Sequence, residues 1–169
     1  MFKSYYNSNL GKIIIVADNR YIYGLYFDNQ KYLPENLEKL EINNNSPIIK
    51  QVKLWLEEYS NAKKPNLENL PIKLIGSEFK MLVWSVLKTI PYGKTITYGE
   101  IAKTLARKTN KEKISARAVG NAVGHNPISI IIPCHRVIGA NGKITGYAGG
   151  IDKKTALLKL EGINVDKIQ

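Results

Sequence analysis

The chain holds one cysteine, Cys134, and two histidines, His125 and His135. That count constrains the fold more than any other feature. A single thiol cannot close an internal disulfide, and one Cys with two His falls short of the four ligands of a structural zinc site. The fold must therefore rest on its own apolar core. With 169 residues, 44% apolar and 23% charged, the chain can build one large domain or two small ones. No apolar run approaches the roughly 18 residues of a membrane span. The start, Met1-Phe2-Lys3-Ser4-Tyr5-Tyr6, lacks the basic-then-apolar layout of a secretion signal. These features lead us to expect a cytoplasmic protein that binds no metal and no membrane.

The first part of the chain reads as a hairpin or small meander. Ile13-Ile14-Ile15-Val16-Ala17 is a β-branched run, Asp18-Asn19-Arg20 a turn, and Tyr21 to Phe27 a second strand. Asn43-Asn44-Asn45-Ser46-Pro47 leads into a helix with Pro47 in its first turn. Ile48, Val52, Trp55, Leu56 and Tyr59 then recur at helical spacing. From Ser60 to Gly76, scattered Pro and Asn break the periodicity, and the domain boundary is placed there: residues 1–76 and 77–169.

The second part is more regular. Ser77 caps a helix whose apolar face is Phe79, Leu82, Val83, Val86, Leu87 and Ile90, and Pro91-Tyr92-Gly93-Lys94 breaks it. Thr97 and Glu100 have capping-box spacing and open a short helix through Ile101, Ala102 and Leu105. A Lys-rich link follows. Ser115 caps another short helix, Ala116 to about Val123, which ends at Gly124-His125-Asn126-Pro127. A helix from about Lys153 stops at Gly162. Two short helices joined by a turn suit a helix-turn-helix, although core hairpins share that pattern. The second of them is built from Ala116, Ala118, Gly120, Ala122 and Gly124, with Arg117 the only long side chain beside them. Small residues let another surface, a neighbouring helix or a DNA groove, approach the backbone.

Charge separates the halves. Residues 1–76 carry 10 Lys+Arg against 8 Asp+Glu, a net of +2; residues 77–169 carry 15 against 6, a net of +9. A basic half beside a nearly neutral one points to a polyanionic partner. A generally Lys-rich surface is the plainer alternative.

Cys134 lies in Ile131-Ile132-Pro133-Cys134-His135-Arg136-Val137-Ile138-Gly139. A free thiol with a pKa near 8.5 is only a few per cent thiolate at neutral pH, so a nucleophilic role needs a base. His135 is adjacent. In an extended segment it would point to the opposite face and reach the sulfur only through a turn or a water. Glu161 is a candidate third group to orient it. Taken singly, a lone Cys is more often an inert buried residue.

Together, Pro133-Cys134-His135-Arg136-Val137-Ile138, Arg117-Ala118-Val119-Gly120-Asn121-Ala122, Asn126-Pro127-Ile128, Gly146-Tyr147-Ala148-Gly149-Gly150 and Leu157-Leu158-Lys159-Leu160-Glu161-Gly162 closely resemble the methylated-DNA–protein-cysteine methyltransferases, the O6-alkylguanine-DNA alkyltransferases. The match runs through nearly all of residues 77–169. The resemblance implies an α+β protein: a small N-terminal domain with an antiparallel sheet plus helix, ribonuclease H-like, and a mostly helical, winged-helix-like C-terminal domain. It implies stoichiometric, irreversible transfer of an alkyl group from guanine O6 in DNA to Cys134, and leaves thymine O4 open as a second source. His135, oriented by Glu161, would take the thiol proton through a water, and Asn126 would brace the site against the DNA-binding helix. Arg117 would fill the space left by the flipped nucleotide, with Ser115 and Ala118 beside it on DNA. Tyr98 would help rotate the nucleotide. Tyr98, Val123, Val137, Tyr147 and Ala148 would line the base pocket, with the carbonyls of Cys134 and Val137 accepting from the guanine amino group.

The helix would lie in the minor groove, which suits repair that ignores sequence. Some relatives carry Ser where this chain has Ala148; the backbone N–H there can still donate to O6. The link from Ala106 to Ile114 is longer and more basic than in many relatives, and its Arg107, Lys108, Lys111 and Lys113 are expected on phosphates. The implied partner is double-stranded DNA containing alkylated guanine, met by a monomer that uses no cofactor. Three rivals stay open: a lesion sensor without transfer, a cysteine hydrolase using Cys134 and His135, and a plain helix-turn-helix regulator.

Overall fold

The N-terminal sheet forms because three β-rich runs are separated by turns that the local side chains close. β1 (Phe2–Ser8), β2 (Gly11–Ala17) and β3 (Ile22–Phe27) pair antiparallel in that order, with a register shift at Val16/Ala17. Asp18 shapes the second turn: its Oδ1 accepts from the backbone N–H of Arg20 and of Tyr21, both at 2.7 Å. Of the three strands, the sequence pattern identifies the hairpin β2–β3. β1 has a mixed polar pattern and is recruited by pairing with β2.

From Ile13 to Ala17, β2 is an unbroken apolar run because neither face of that stretch meets water. Ile14 and Val16 cluster with Tyr26 and Leu37, while Ile13, Ile15 and Ala17 point the other way and are equally buried. α1 (Pro47–Ser60) packs against β1 and β2 through a stripe that includes Ile49, Val52 and Leu56. The Pro- and Asn-rich stretch after it is anchored: Ile22 N–H donates to Pro71 O at 2.8 Å and Lys73 N–H to Ile22 O at 2.9 Å.

The computed structural model describes residues 1–168. The chain divides into two compact units, Met1–Ile75 with Pro127–Ile131, and Gly76–Asn126 with the chain from Ile132 onward. The short 127–131 segment lies beside β3, where Leu25 N–H donates to Pro127 O and Ser129 N–H to Leu25 O, each at 2.9 Å.

The second unit contains α2 (Glu78–Leu87), β4 (Ile96–Thr97), α3 (Tyr98–Lys108), α4 (Ala116–Gly124), β5 (Val137–Ile138) and α5 (Ile151–Leu160). The starts of α2, α3 and α4 have a local cause. Ser77 and Ser115 accept from the first-turn N–H groups of α2 and α4, and Thr97 with Glu100 completes both halves of a capping box. α3 extends to Lys108, so the first residues of the basic link are helical. On α2, Phe79 and Leu82 are only half-buried, and the large buried side chain is Trp84. Its indole N–H donates to Ala122 O at 2.9 Å, tying α2 to α4. β4 and β5 pair in parallel, Ile96 opposite Val137. Among the described residues, no helix is long and apolar enough to cross a membrane.

Candidate active site

Cys134 opens a 3-10 turn, Cys134–Arg136, between Pro133 and β5. The turn replaces the extended segment that the sequence suggested, so Cys134 and His135 need not point to opposite faces. Both are buried, Cys134 at 5% exposure and His135 at 0%. Burial pushes the Cys134 thiol above its ordinary value. Opposing this are a hydrogen bond from the Asn126 side chain, the charge of Lys154, and the backbone N–H groups of Cys134 and His135. A sulfur in such surroundings rests as a thiol, yet donors and a cation await its anion. Asn126 also donates from Nδ2 to Ile132 O at 2.8 Å, which fixes its amide just before the turn.

His135 Nε2 lies 2.7 Å from Glu161 Oε1. Glu161 follows the last turn of α5 and is buried. Burial alone would raise its pKa. Hydrogen bonds from His135 and Arg136, and from Gly93 N–H at 3.0 Å, instead hold it well below the usual carboxylate range. Arg136 grips it with Nε at 2.9 Å from Oε2 and Nη2 at 2.9 Å from Oε1, a forked geometry. An ionised carboxylate only accepts, so His135 donates from Nε2 and keeps Nδ1 as its basic nitrogen. Burial lowers the His135 pKa, against the pull of Glu161, so the ring is neutral before reaction.

Tyr98 begins α3. Its hydroxyl donates to Thr145 O at 3.2 Å and approaches Gly146 O at 3.5 Å. Burial first, then the charge on Cys134, raises its pKa to about 12, so it remains a donor. Gly120 on α4 lies beside the Tyr98 ring, where a Cβ would stand 3.7 Å from it, an ordinary van der Waals contact. Val123 and Val137 are buried, and Tyr147 and Ala148 half-buried. Arg117 and Ala118 are exposed in the first turn of α4, where Ser115 Oγ accepts from Arg117 N–H at 3.2 Å.

The geometry thus brings Cys134, His135, Glu161 and Asn126 into one hydrogen-bonded cluster. Tyr98 is linked to it electrostatically, while Arg117, Ala118 and Ser115 stand on the exposed start of α4. Among the described residues, no group of three or more His, Cys, Asp or Glu could hold a metal ion.

Residues 78–163 match the 6-O-methylguanine DNA methyltransferase DNA binding domain, and residues 1–74 match the ribonuclease-like domain of the same proteins. The chain belongs to the 6-O-methylguanine DNA methyltransferase family. It is 42% identical over 168 residues to the methylated-DNA–protein-cysteine methyltransferase of Methanosarcina acetivorans, covering 96% of this chain and 99% of that one. With the Haemophilus influenzae protein of the same name it shares 39% over 163 residues, 96% of this chain and 87% of the other. A crystal structure of Mycobacterium tuberculosis OGT in complex with DNA superposes with a TM-score of 0.82 at 34% identity, covering 99% of both chains. The α+β architecture is that of the family.

Two residues of this methyltransferase-family site are not singled out by the sequence. Arg136 stands there only as part of the motif, yet it holds Glu161 and also donates to Ile90 O from Nη1. Lys154, one turn into α5, is fully buried and bonds three carbonyls. Both are hidden among a chain's many cations. The one hint is that Lys154 precedes the buried Leu157 and Leu158 at helical spacing.

Proposed function

We propose that this protein repairs DNA directly, moving an alkyl group from the O6 atom of guanine onto Cys134, once per molecule. One observation carries the reading: the chain's only thiol is buried among donors that favour its anion, on the same turn as a neutral histidine paired with an ionised glutamate. Family membership supports the substrate, since relatives along nearly the whole chain are named as methylated-DNA–protein-cysteine methyltransferases. The C-terminal domain, residues 77–169, carries all of this chemistry, and the N-terminal domain, residues 1–76, accompanies it.

In the proposed reaction, the thiol proton passes through a water to His135, and Glu161 stabilises the imidazolium that forms. The sulfur then attacks the alkyl carbon. The S–C bond forms as the C–O6 bond breaks, the electron pair returns to the purine, and a proton taken up by the ring restores guanine. The product is a thioether with no route back. Asn126 steadies the sulfur. The target carbon is unreachable inside stacked DNA, so the nucleotide must be flipped out. Arg117, exposed on a helix of small residues, suits the vacated space, and Tyr98, Val123, Val137, Tyr147 and Ala148 suit the flipped base. Ser115 and Ala118 stand beside Arg117 to meet the backbone. The partner is alkylated duplex DNA met by a monomer. A cytoplasmic location suits an acceptor that must stay a reduced thiol.

The test is incubation with a duplex containing O6-methylguanine, followed by peptide masses. One methyl group on Cys134 and restored guanine are expected, and Cys134→Ala should end transfer while leaving DNA binding largely intact. An unmodified Cys134 with persistent binding would mean a lesion sensor or regulator. Repeated turnover would mean a hydrolase.

A further inference from the structure

Lys154 has 0% exposure, and among the described residues no carboxylate pairs with it. A buried ammonium without a counter-ion is unfavourable unless its three protons are taken up. Here they are: Nζ donates to Val137 O, to Thr145 O at 2.7 Å and to Gly146 O at 3.2 Å. Those carbonyls belong to β5 and to the turn leading into Tyr147 and Ala148. Gly146 holds that turn at a φ of +56°. The Tyr98 hydroxyl reaches the same two turn carbonyls from α3, and Lys154 Nζ lies 6.0 Å from the Tyr98 ring centroid. An apolar side chain at position 154 would avoid desolvating a charge and would usually stabilise the fold at least as well. The cation instead bonds the carbonyl of Val137, the residue directly after the Cys134–Arg136 turn, and from there its charge favours the anion of the Cys134 sulfur.

We infer that Lys154 is a positioning residue for alkyl transfer: its ammonium stabilises the attacking Cys134 thiolate and clamps the 145–146 turn onto β5. The inference rests on Cys134 being the alkyl acceptor. The titratable groups that face Lys154 are Cys134 on the 3-10 turn and Tyr98 on α3, and its charge also reaches His135. Burial lowers the Lys154 pKa to about 8, while the thiolate opposes that shift. Tyr98 stays protonated throughout this range. Transfer should therefore rise with pH less steeply above about pH 8, because the thiolate gained is offset by the ammonium lost.

The experiment follows the 13C shift of the Cys134 Cβ against pH in wild type, Lys154→Met and Lys154→Arg, with a melting curve for each. There is one cysteine, so there is one signal. In folded Lys154→Met, the thiol should titrate about one pH unit higher, and transfer at neutral pH should fall about tenfold. Lys154→Arg keeps the charge and should restore most of both. Superimposable thiol titrations in folded wild type and Lys154→Met would overturn the inference. Should Lys154→Met fail to fold, the wild-type protein decides. The assigned Lys154 Cε signal should titrate at lower pH once Cys134 is S-methylated, and an unchanged titration overturns the inference equally. Coupled titrations in a wild-type protein that does not take up the methyl group would instead reject the alkyl-transfer reading and leave the Lys154–Cys134 coupling standing.

Discussion

The side chains around Glu161 show how a buried charge is used. The carboxylate accepts from His135, Arg136 and Gly93, so nearly all its acceptor capacity is met inside the protein. Its pKa is depressed, so its contribution is fully present above the ordinary 4.5 and is lost only in stronger acid. His135 behaves differently. Burial lowers its pKa below the ordinary 6.5, so on unfolding in mild acid the ring takes up a proton that the folded protein does not hold. Stability is therefore full above pH 6.5 and declines as pH falls below it. The melting temperature should drop between pH 6.5 and 5, and His135→Gln, which cannot titrate, should flatten that decline. Calorimetry across this interval checks the sign. An equal decline in both proteins would assign the acid sensitivity to other groups.

At the scale of elements, α4 is the piece on which the site depends. Its Gly120 lies beside the Tyr98 ring, its first turn exposes Arg117, and its end leads directly to Asn126. What holds α4 in place is a neighbour's tryptophan. Trp84→Phe removes the indole donor and leaves Ala122 O buried without that bond. A loss of about 1–3 kcal/mol in unfolding free energy is expected, since an unmet buried acceptor keeps its desolvation penalty. Urea denaturation measures it. A loss much smaller than this range would show that α4 shifts to satisfy the carbonyl elsewhere. The capping box of α3 works more locally, with Glu100 Oε2 accepting from Thr97 N–H at 2.7 Å.

For the whole molecule, the uneven charge has a place. The α3–α4 link begins with a cleft lined by Lys103, Ala106, Arg107, Asn110, Lys111 and Glu112. DNA affinity should fall as salt rises, because neutralised phosphates release their counterions. Replacing both Arg107 and Lys111 by Gln should reduce the slope of log affinity against log salt by up to about 1.8, or about 0.9 for each phosphate no longer neutralised. Fluorescence anisotropy over a salt series reads the slope directly. An unchanged slope would remove these two side chains from the DNA face.

Much of the architecture is readable because its causes are local. Ser77, Thr97 with Glu100, and Ser115 cap helices within three residues of themselves. The β-branched run of β2 and the Asp18 turn identify a hairpin without any distant partner. The Cys134 motif likewise lies within nine consecutive residues. Tertiary structure alone decided the rest. β1 becomes a strand because β2 offers it an edge. The 127–131 segment joins the first unit through hydrogen bonds to Leu25. Trp84, Arg136 and Lys154 acquire their meaning from carbonyls at Ala122, Ile90, Val137, Thr145 and Gly146. A backbone carbonyl has the same chemistry at every residue, so the sequence does not mark which one a buried donor will meet. The sequence by itself singled out one atom, the lone sulfur of Cys134. The fold decided which groups surround it, because burial and hydrogen bonding between distant segments set their charges.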